Sequence, residues 1–293
     1  MPSWQGKSQG TTTGYRIFVQ TLRIFGLWPA YLLLRCVAAW YLLVPRPSTT
    51  TAFRFYRHRM NMPTLRAIWF VYRNYYAFGQ SILDRLVVMS GMPNRFSFDF
   101  DGETYLHEMV RRGKGGLLLS AHIGNWEIAG HLLQRINTKI HIVMFDGEHE
   151  RIKEYLANVT GGRNVDIIVI RNDLSHVYAI TEALRNNGLV CMHADRFVGD
   201  HKTFSRDFLG SPARFPAGPF LLAAGFRVPF SFVFAMKETP RHYHFFATPL
   251  EDNFEGAKQA MAERWASSFV TEMEQKVRAW PEQWYNFYDF WKA

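Results

Sequence analysis

Five short apolar runs, separated by stretches with helical patterning, constrain this chain more than any other feature. They are GLLLSA (116–121), IHIVMF (140–145), VDIIVI (165–170), LVCMH (189–193) and VPFSFVF (228–234). Each is too short for a core helix and has no polar alternation, as expected of strands buried on both faces. Helical stretches fall between most of them, near 126–136, 148–159, 175–187 and 217–225. That alternation predicts an α/β fold with a mixed, largely parallel central sheet flanked by helices. HYHFFATPL (242–250) adds an expected antiparallel strand. A final helix is marked by Met261, Trp265, Phe269, Met273 and Val277, which recur every four residues as one apolar stripe. A helix is also expected over 63–90, with Pro63 suited to a first turn and Gly91 to a stop.

The first third of the chain reads differently. No Asp or Glu precedes Asp84, while residues 1–83 carry ten Lys and Arg; the remainder holds 24 basic and 25 acidic residues. The net charge of +9 is therefore an N-terminal property. Basic residues here punctuate an apolar, aromatic stretch, IFGLWPAYLLLRCVAAWYLLV (24–44). Nucleic-acid binders interleave their basic residues with polar ones, so this pattern points to an anionic membrane surface instead. Residues 24–44 are long enough for a membrane-inserted helix, although Arg35 and Pro29 argue against a simple span. The stretch starts late and lacks a small-residue cleavage site, which disfavours a removed signal peptide. Pro45-Arg46-Pro47 marks the expected boundary between an anchoring segment (1–45) and a globular domain (46–293). The two cysteines, Cys36 and Cys191, make no disulfide framework and no thiolate zinc site.

Chemistry is signalled where the first apolar run ends in His122-Ile123-Gly124-Asn125-Trp126-Glu127. A strand followed by a polar turn and a helix brings side chains to the carboxyl edge of the sheet, where open α/β sheets bind ligands. A histidine paired with a carboxylate is a competent general base, and Glu127 lies within one turn of His122. No GxSxG elbow supplies a nucleophile. The pair is thus suited to activating a substrate hydroxyl; a structural histidine at a strand end is the alternative. Asp195-Arg196 ends another strand at the same edge. Arg196 could grip a phosphate or pantetheine group, or could serve in a structural ion pair. Arg163, after two glycines, is a further phosphate candidate. His131, His141, His193 and His201 lie in no compact metal-ligand spacing. Phe220–Ala224 and Phe230–Phe234 are apolar segments able either to line an acyl chain or to pack the core.

SAHIGNWE resembles the HxxxxD/E block of glycerolipid-type acyltransferases, and the surrounding chain resembles the bacterial lipid A biosynthesis (lauroyl/myristoyl-type) acyltransferase family. His193-Ala194-Asp195-Arg196 with the later Asp207-Phe208-Leu209-Gly210-Ser211-Pro212-Ala213 is similar to that family's second block. Phe215–Pro219 is similar to its T-x-G-P segment, and Pro281-Glu282-Gln283-Trp284 to its closing P-E-Q-W. The resemblance implies a glycerolipid-acyltransferase-like fold and an O-acyltransferase that needs no metal or organic cofactor. It implies transfer of a fatty acyl chain from an acyl carrier protein or CoA thioester to a lipid hydroxyl, at the cytoplasmic face of a bacterial inner membrane. In that reading His122 deprotonates the acceptor, Glu127 orients it, and the Gly124 and Asn125 amides hold the oxyanion. The ending Tyr285–Trp291 departs from the Trp- and Arg-rich tail of lipid A enzymes. With HADRF it looks more like a sister branch that accompanies aryl-polyene or flexirubin-type lipid pathways. A non-catalytic protein that binds lipid or acyl carrier, and a hydrolase, are the competing readings.

Overall fold

The computed structural model describes residues 12–44, 46–89, 91–92, 94–126, 128, 136, 138–145, 165–170, 173, 175–197 and 201–292. Among these residues, seven strands form the main sheet: β1 (Ser97–Asp101), β2 (Gly116–Ser120), β3 (Ile140–Phe145), β4 (Val165–Ile170), β5 (Leu189–His193), β8 (Phe230–Thr239) and β9 (His242–Ala247). Their order is β1-β9-β8-β2-β5-β3-β4. Every neighbouring pair is parallel except β8 with β9. The expected mixed, largely parallel sheet is therefore present. All five apolar runs are strands, and β2, at the centre, is buried at every position, as strands covered on both faces are.

Helices pack on one face of the sheet. α7 (Gly218–Phe226) and α8 (Lys258–Ala279) bury their apolar stripes against it. Trp265 meets Phe230 edge-on at 4.9 Å, and Phe269 meets Phe232 at 5.3 Å. Phe220, Phe230 and Phe232 are thus core residues. On the opposite face α5 (Glu103–Arg111) packs Leu106 and Met109 against Leu118 and Leu189. An apolar groove runs along this face, bordered by Leu118, Ile142, Met144, Val233 and Phe245 among the described residues. A separate hairpin, β6 (Thr203–Phe208) with β7 (Ser211–Pro216), and the strand β1 had no signal in the sequence pattern. α6 (Ser175–Arg185) fulfils the helix expected between β4 and β5. The expected helix 148–159 and most of 126–136 lie outside the described residues.

The N-terminal region is a helical layer. It comprises α1 (Thr12–Phe25), α2 (Leu27–Leu43), α3 (Pro47–Arg54), a π-turn (Phe55–Arg59) and the long α4 (Thr64–Met89). No single helix among the described residues is long and apolar enough to cross a membrane. Residues 24–44 are divided because Gly26 takes a left-handed φ of 80°, which separates α1 from a 17-residue α2. Pro29 falls in the first turn of α2, where its missing N–H leaves no hydrogen bond unmade, so it produces no mid-helix kink. Ala30, Leu34 and Ala38 form a buried stripe facing α4. Gly79 of α4 allows that approach: a Cβ there would come within 2.3 Å of Leu34. A bent pair, α2 with the helix Pro47–Arg59, meets at 89°.

Candidate active site

The parallel pairing of β2 with β5 sets Ser120 beside His193. Two residues further along each strand's exit lie His122 and Asp195, which equal offsets bring together at the sheet's carboxyl edge. His122 Nδ1 is 2.8 Å from Asp195 Oδ1, and the His122 backbone N–H donates to Asp195 Oδ2 at 3.0 Å. The Asp195 side chain is fully buried, whereas His122 retains 21% of its exposure. Burial alone would raise the Asp195 carboxyl. His122, through its charge and its hydrogen bond, then Arg196 and His193, outweigh this and hold it well below the usual carboxylate range. An ionised Asp195 accepting from Nδ1–H leaves Nε2 as the lone-pair nitrogen, turned away from the carboxylate.

His193 packs on this dyad. Its ring centroid lies 4.1 Å from that of His122 and 5.0 Å from Trp126. Burial, reinforced by the neighbouring His122, pushes the His193 pKa well below the ordinary histidine value. Its Nδ1 is buried with no hydrogen-bond partner. His193, Ser120 and Trp126 form the end of the apolar groove, so a chain lying in the groove ends beside the dyad. Of the two segments named as candidate acyl lining, only Val233 and Phe234 reach it.

The turn that carries His122 is fastened by backbone. Its carbonyl accepts the Tyr285 N–H at 3.2 Å, the Gly124 N–H donates to Gln283 at 2.9 Å, and the Asn125 N–H donates to Ala235 at 2.8 Å. Gly124 has φ +69°, and a Cβ there would lie 2.0 Å from the Ala235 carbonyl oxygen, so only glycine fits. These bonds correct one expectation: the Gly124 and Asn125 amides are already committed and do not face a reacting group. Asn125 is buried, and its side-chain amide donates to the Ser81 carbonyl and to the Tyr243 hydroxyl.

Arg196 has the structural geometry of its two readings. Nη2 donates to the Tyr285 carbonyl at 2.7 Å, Nε is 3.8 Å from Asp195, and the guanidinium lies 5.5 Å from the Tyr288 ring centre. It braces the C-terminal segment and adds positive charge beside Asp195. Glu127 and Arg163 lie outside the described residues. The donor atoms of His122, His193 and Asp195 lie within 4.8 Å of one another, a set that could also receive a divalent cation. Spacing along the sequence had no means of showing this grouping, because strand pairing creates it.

The family described as bacterial lipid A biosynthesis acyltransferase matches residues 69–293. Two curated relatives are phosphatidylinositol mannoside acyltransferases from two strains of Mycobacterium tuberculosis. Each is 27% identical over 123 residues, covering 42% of this chain and 39% of the relative. The match therefore spans less than half the length of these relatives. Among solved structures, the 1-acyl-sn-glycerophosphate acyltransferase PlsC from Thermotoga maritima is similar at 11% identity, with a TM-score of 0.41. That alignment covers 85% of this chain and 97% of that one.

Proposed function

The chain belongs to the bacterial lipid A biosynthesis acyltransferase family, and from that premise we propose that it transfers a fatty acyl group from a thioester to a lipid-borne hydroxyl. One observation carries the reading: His122 Nδ1 is engaged by the buried Asp195 at 2.8 Å, which reserves Nε2 for substrate at the end of an apolar groove. His122 Nε2 removes the hydroxyl proton of the acceptor as its oxygen attacks the thioester carbonyl carbon. The tetrahedral intermediate collapses, the C–S bond breaks, and the imidazolium returns the proton to the departing thiolate. Asp195 fixes the tautomer and stabilises the imidazolium, the orienting role expected of Glu127. The acyl chain of the donor lies in the groove between β2, β3, β8 and β9. No nucleophilic side chain is required, and the mechanism calls on no metal or organic cofactor. The donor in this reading is a CoA or acyl-carrier-protein thioester. The acceptor is a glycolipid, a class supported by the lipid A biosynthesis family and by the phosphatidylinositol mannoside acyltransferases among the similar proteins.

The helical layer supplies the surface in this reading. Of 13 exposed large apolar residues among those described, 11 lie at or before Phe78, including Ile24, Phe25, Trp28, Trp40 and Trp69. Exposed Arg16, Arg23, Arg35 and Arg66 lie among them. Apolar rings beside basic groups suit an anionic lipid–water interface, which supports a position on the cytoplasmic face of a bacterial inner membrane. The protein should sediment with membranes through a high-salt wash; recovery in the soluble fraction at low salt would remove this part of the proposal.

The decisive test is His122→Ala. Transfer of radiolabelled palmitate from palmitoyl-CoA or palmitoyl-acyl carrier protein into a bacterial lipid extract should fall by at least about 10²–10⁴, with the melting temperature preserved. Near-wild-type transfer would overturn the base assignment. Release of free palmitate by the wild-type protein, without lipid labelling, would replace the transferase with a hydrolase.

A further inference from the structure

Behind the His122 turn lies a polar cluster that acyl transfer does not use. Asp84 of α4 is wholly buried and accepts hydrogen bonds from Tyr31 of α2, Tyr243 of β9 and Lys237 Nζ of β8. Lys237 Nζ also donates to the Tyr31 hydroxyl at 2.7 Å. The Tyr243 hydroxyl, fully buried, accepts from Asn125 Nδ2 at 3.2 Å. A second route joins the same places. The backbone of Lys237 exchanges two bonds with the Gln283 side chain, at 2.9 and 2.7 Å, and the Gln283 carbonyl receives the Gly124 N–H. Both residues that follow Ile123 in the turn are therefore tied to Lys237 and Asp84.

A buried ion pair adds little net stability over apolar packing of the same shape. What it adds is direction, because each partner is satisfied in one arrangement only. Burial and the adjoining Asp84 raise the Tyr243 pKa well above the ordinary phenol value. The neutral hydroxyl therefore donates to Asp84 and keeps a lone pair for Asn125. Tyr31 bonds the other oxygen of the same carboxylate from the helical layer, and among the described residues its hydroxyl otherwise bonds Lys237 and the Pro240 carbonyl.

We propose that Tyr243 is a positioning residue for acyl transfer: held by Asp84, its hydroxyl acts through Asn125 to fix the turn that presents His122. The inference rests on His122 as the base. The matched pair Tyr243→Phe and Tyr31→Phe tests it, since each removes one buried hydroxyl from one carboxylate and keeps the ring. Assays use the full chain in detergent micelles with palmitoyl-CoA and a bacterial lipid extract, well below both melting temperatures. Tyr243→Phe should lower kcat roughly ten-fold at unchanged donor KM, as expected of a displaced catalytic group. Amide exchange in the peptide spanning 121–126 should accelerate while that of α8 stays fixed. Tyr31→Phe should lose comparable melting temperature and keep kcat. Equal kcat losses in the two variants, or unchanged kcat and exchange in Tyr243→Phe, would overturn the inference. The exchange measurement needs no turnover, so it reports on the turn even if His122→Ala were to remain active. An inactive His122→Ala beside a fully active Tyr243→Phe would sink the inference alone.

Discussion

Asp195, just past the end of β5, and Asp84, inside α4, are both buried carboxylates that face a cationic or ionisable partner, yet their surroundings differ. Asp195 meets His122, whose ring keeps one nitrogen uncommitted and part of its surface open. Asp84 meets Lys237, whose ammonium is enclosed by Tyr31, Asp84 and the faces of the Phe96 and Tyr243 rings. Burial lowers the Lys237 pKa and raises that of Asp84, each opposed by the other. Asp195 shows the reverse balance and stays strongly acidic. One carboxylate thus conditions a group that opens onto a groove; the other closes a junction between the helical layer and the sheet. The openness of the partner, and not the buried charge itself, separates chemistry from positioning.

The sharpest way to break that comparison is Asp195→Asn. An amide of the same shape donates where the carboxylate accepted, favours the wrong imidazole tautomer, and cannot stabilise the imidazolium. Transfer should fall by about 10³–10⁴, as for the equivalent change in a hydrolytic triad. The loss should exceed that of Glu127→Gln measured in the same assay. If Glu127→Gln were the more damaging change, the carboxylate that matters would be the one inside the HxxxxE block, and Asp195 would be structural.

How far this was legible in the sequence depends on whether the signal is local. Buried strands are announced by composition, so β2, β3, β4, β5 and β8 were all readable. β1, SFDFD, alternates apolar with acidic residues on the sheet's edge, and Gly102 follows it directly; too few residues signal it. The hairpin β6–β7 contains Pro212 and Pro216, which argue against strands unless one edge is free. His122 stands out locally, as the polar residue that closes an apolar run, whereas the sequence offers a partner for it only along the chain. The clue to Asp195 was that SAH and HAD leave their strands at equal offsets. That clue has meaning only once β2 and β5 are known to pair in parallel and in register. The C-terminal brace was visible only as a resemblance: nothing in Pro281–Trp284 discloses that Gln283 faces Lys237 and Gly124. In residues 24–44 the apolar length reads as one continuous helix, whereas the conformation of Gly26 divides it and α4 packs along the buried stripe of α2.

A smaller effect sharpens the other half of the comparison. Asp84→Asn leaves the Lys237 ammonium buried without a countercharge, which should destabilise the fold by about 3–5 kcal/mol. Adding Lys237→Met removes that stranded charge while keeping a similar side-chain volume, and most of the stability should return. The asparagine carbonyl oxygen still accepts from Tyr243, and the Lys237 backbone bonds to Gln283 do not depend on its side chain. The route from Asp84 to Asn125 therefore survives in the double variant, and kcat should stay within a few-fold of wild type. No second substitution should restore Asp195→Asn in this way, because there the charge acts on the reacting imidazole and not on an architecture. Thermal melts and transfer rates of the two single variants and the double variant separate these cases. A double variant that folds like wild type yet is as inactive as Asp195→Asn would show that the Asp84 charge reaches the chemistry. The distinction between a carboxylate that conditions a base and one that only holds a turn would then fail.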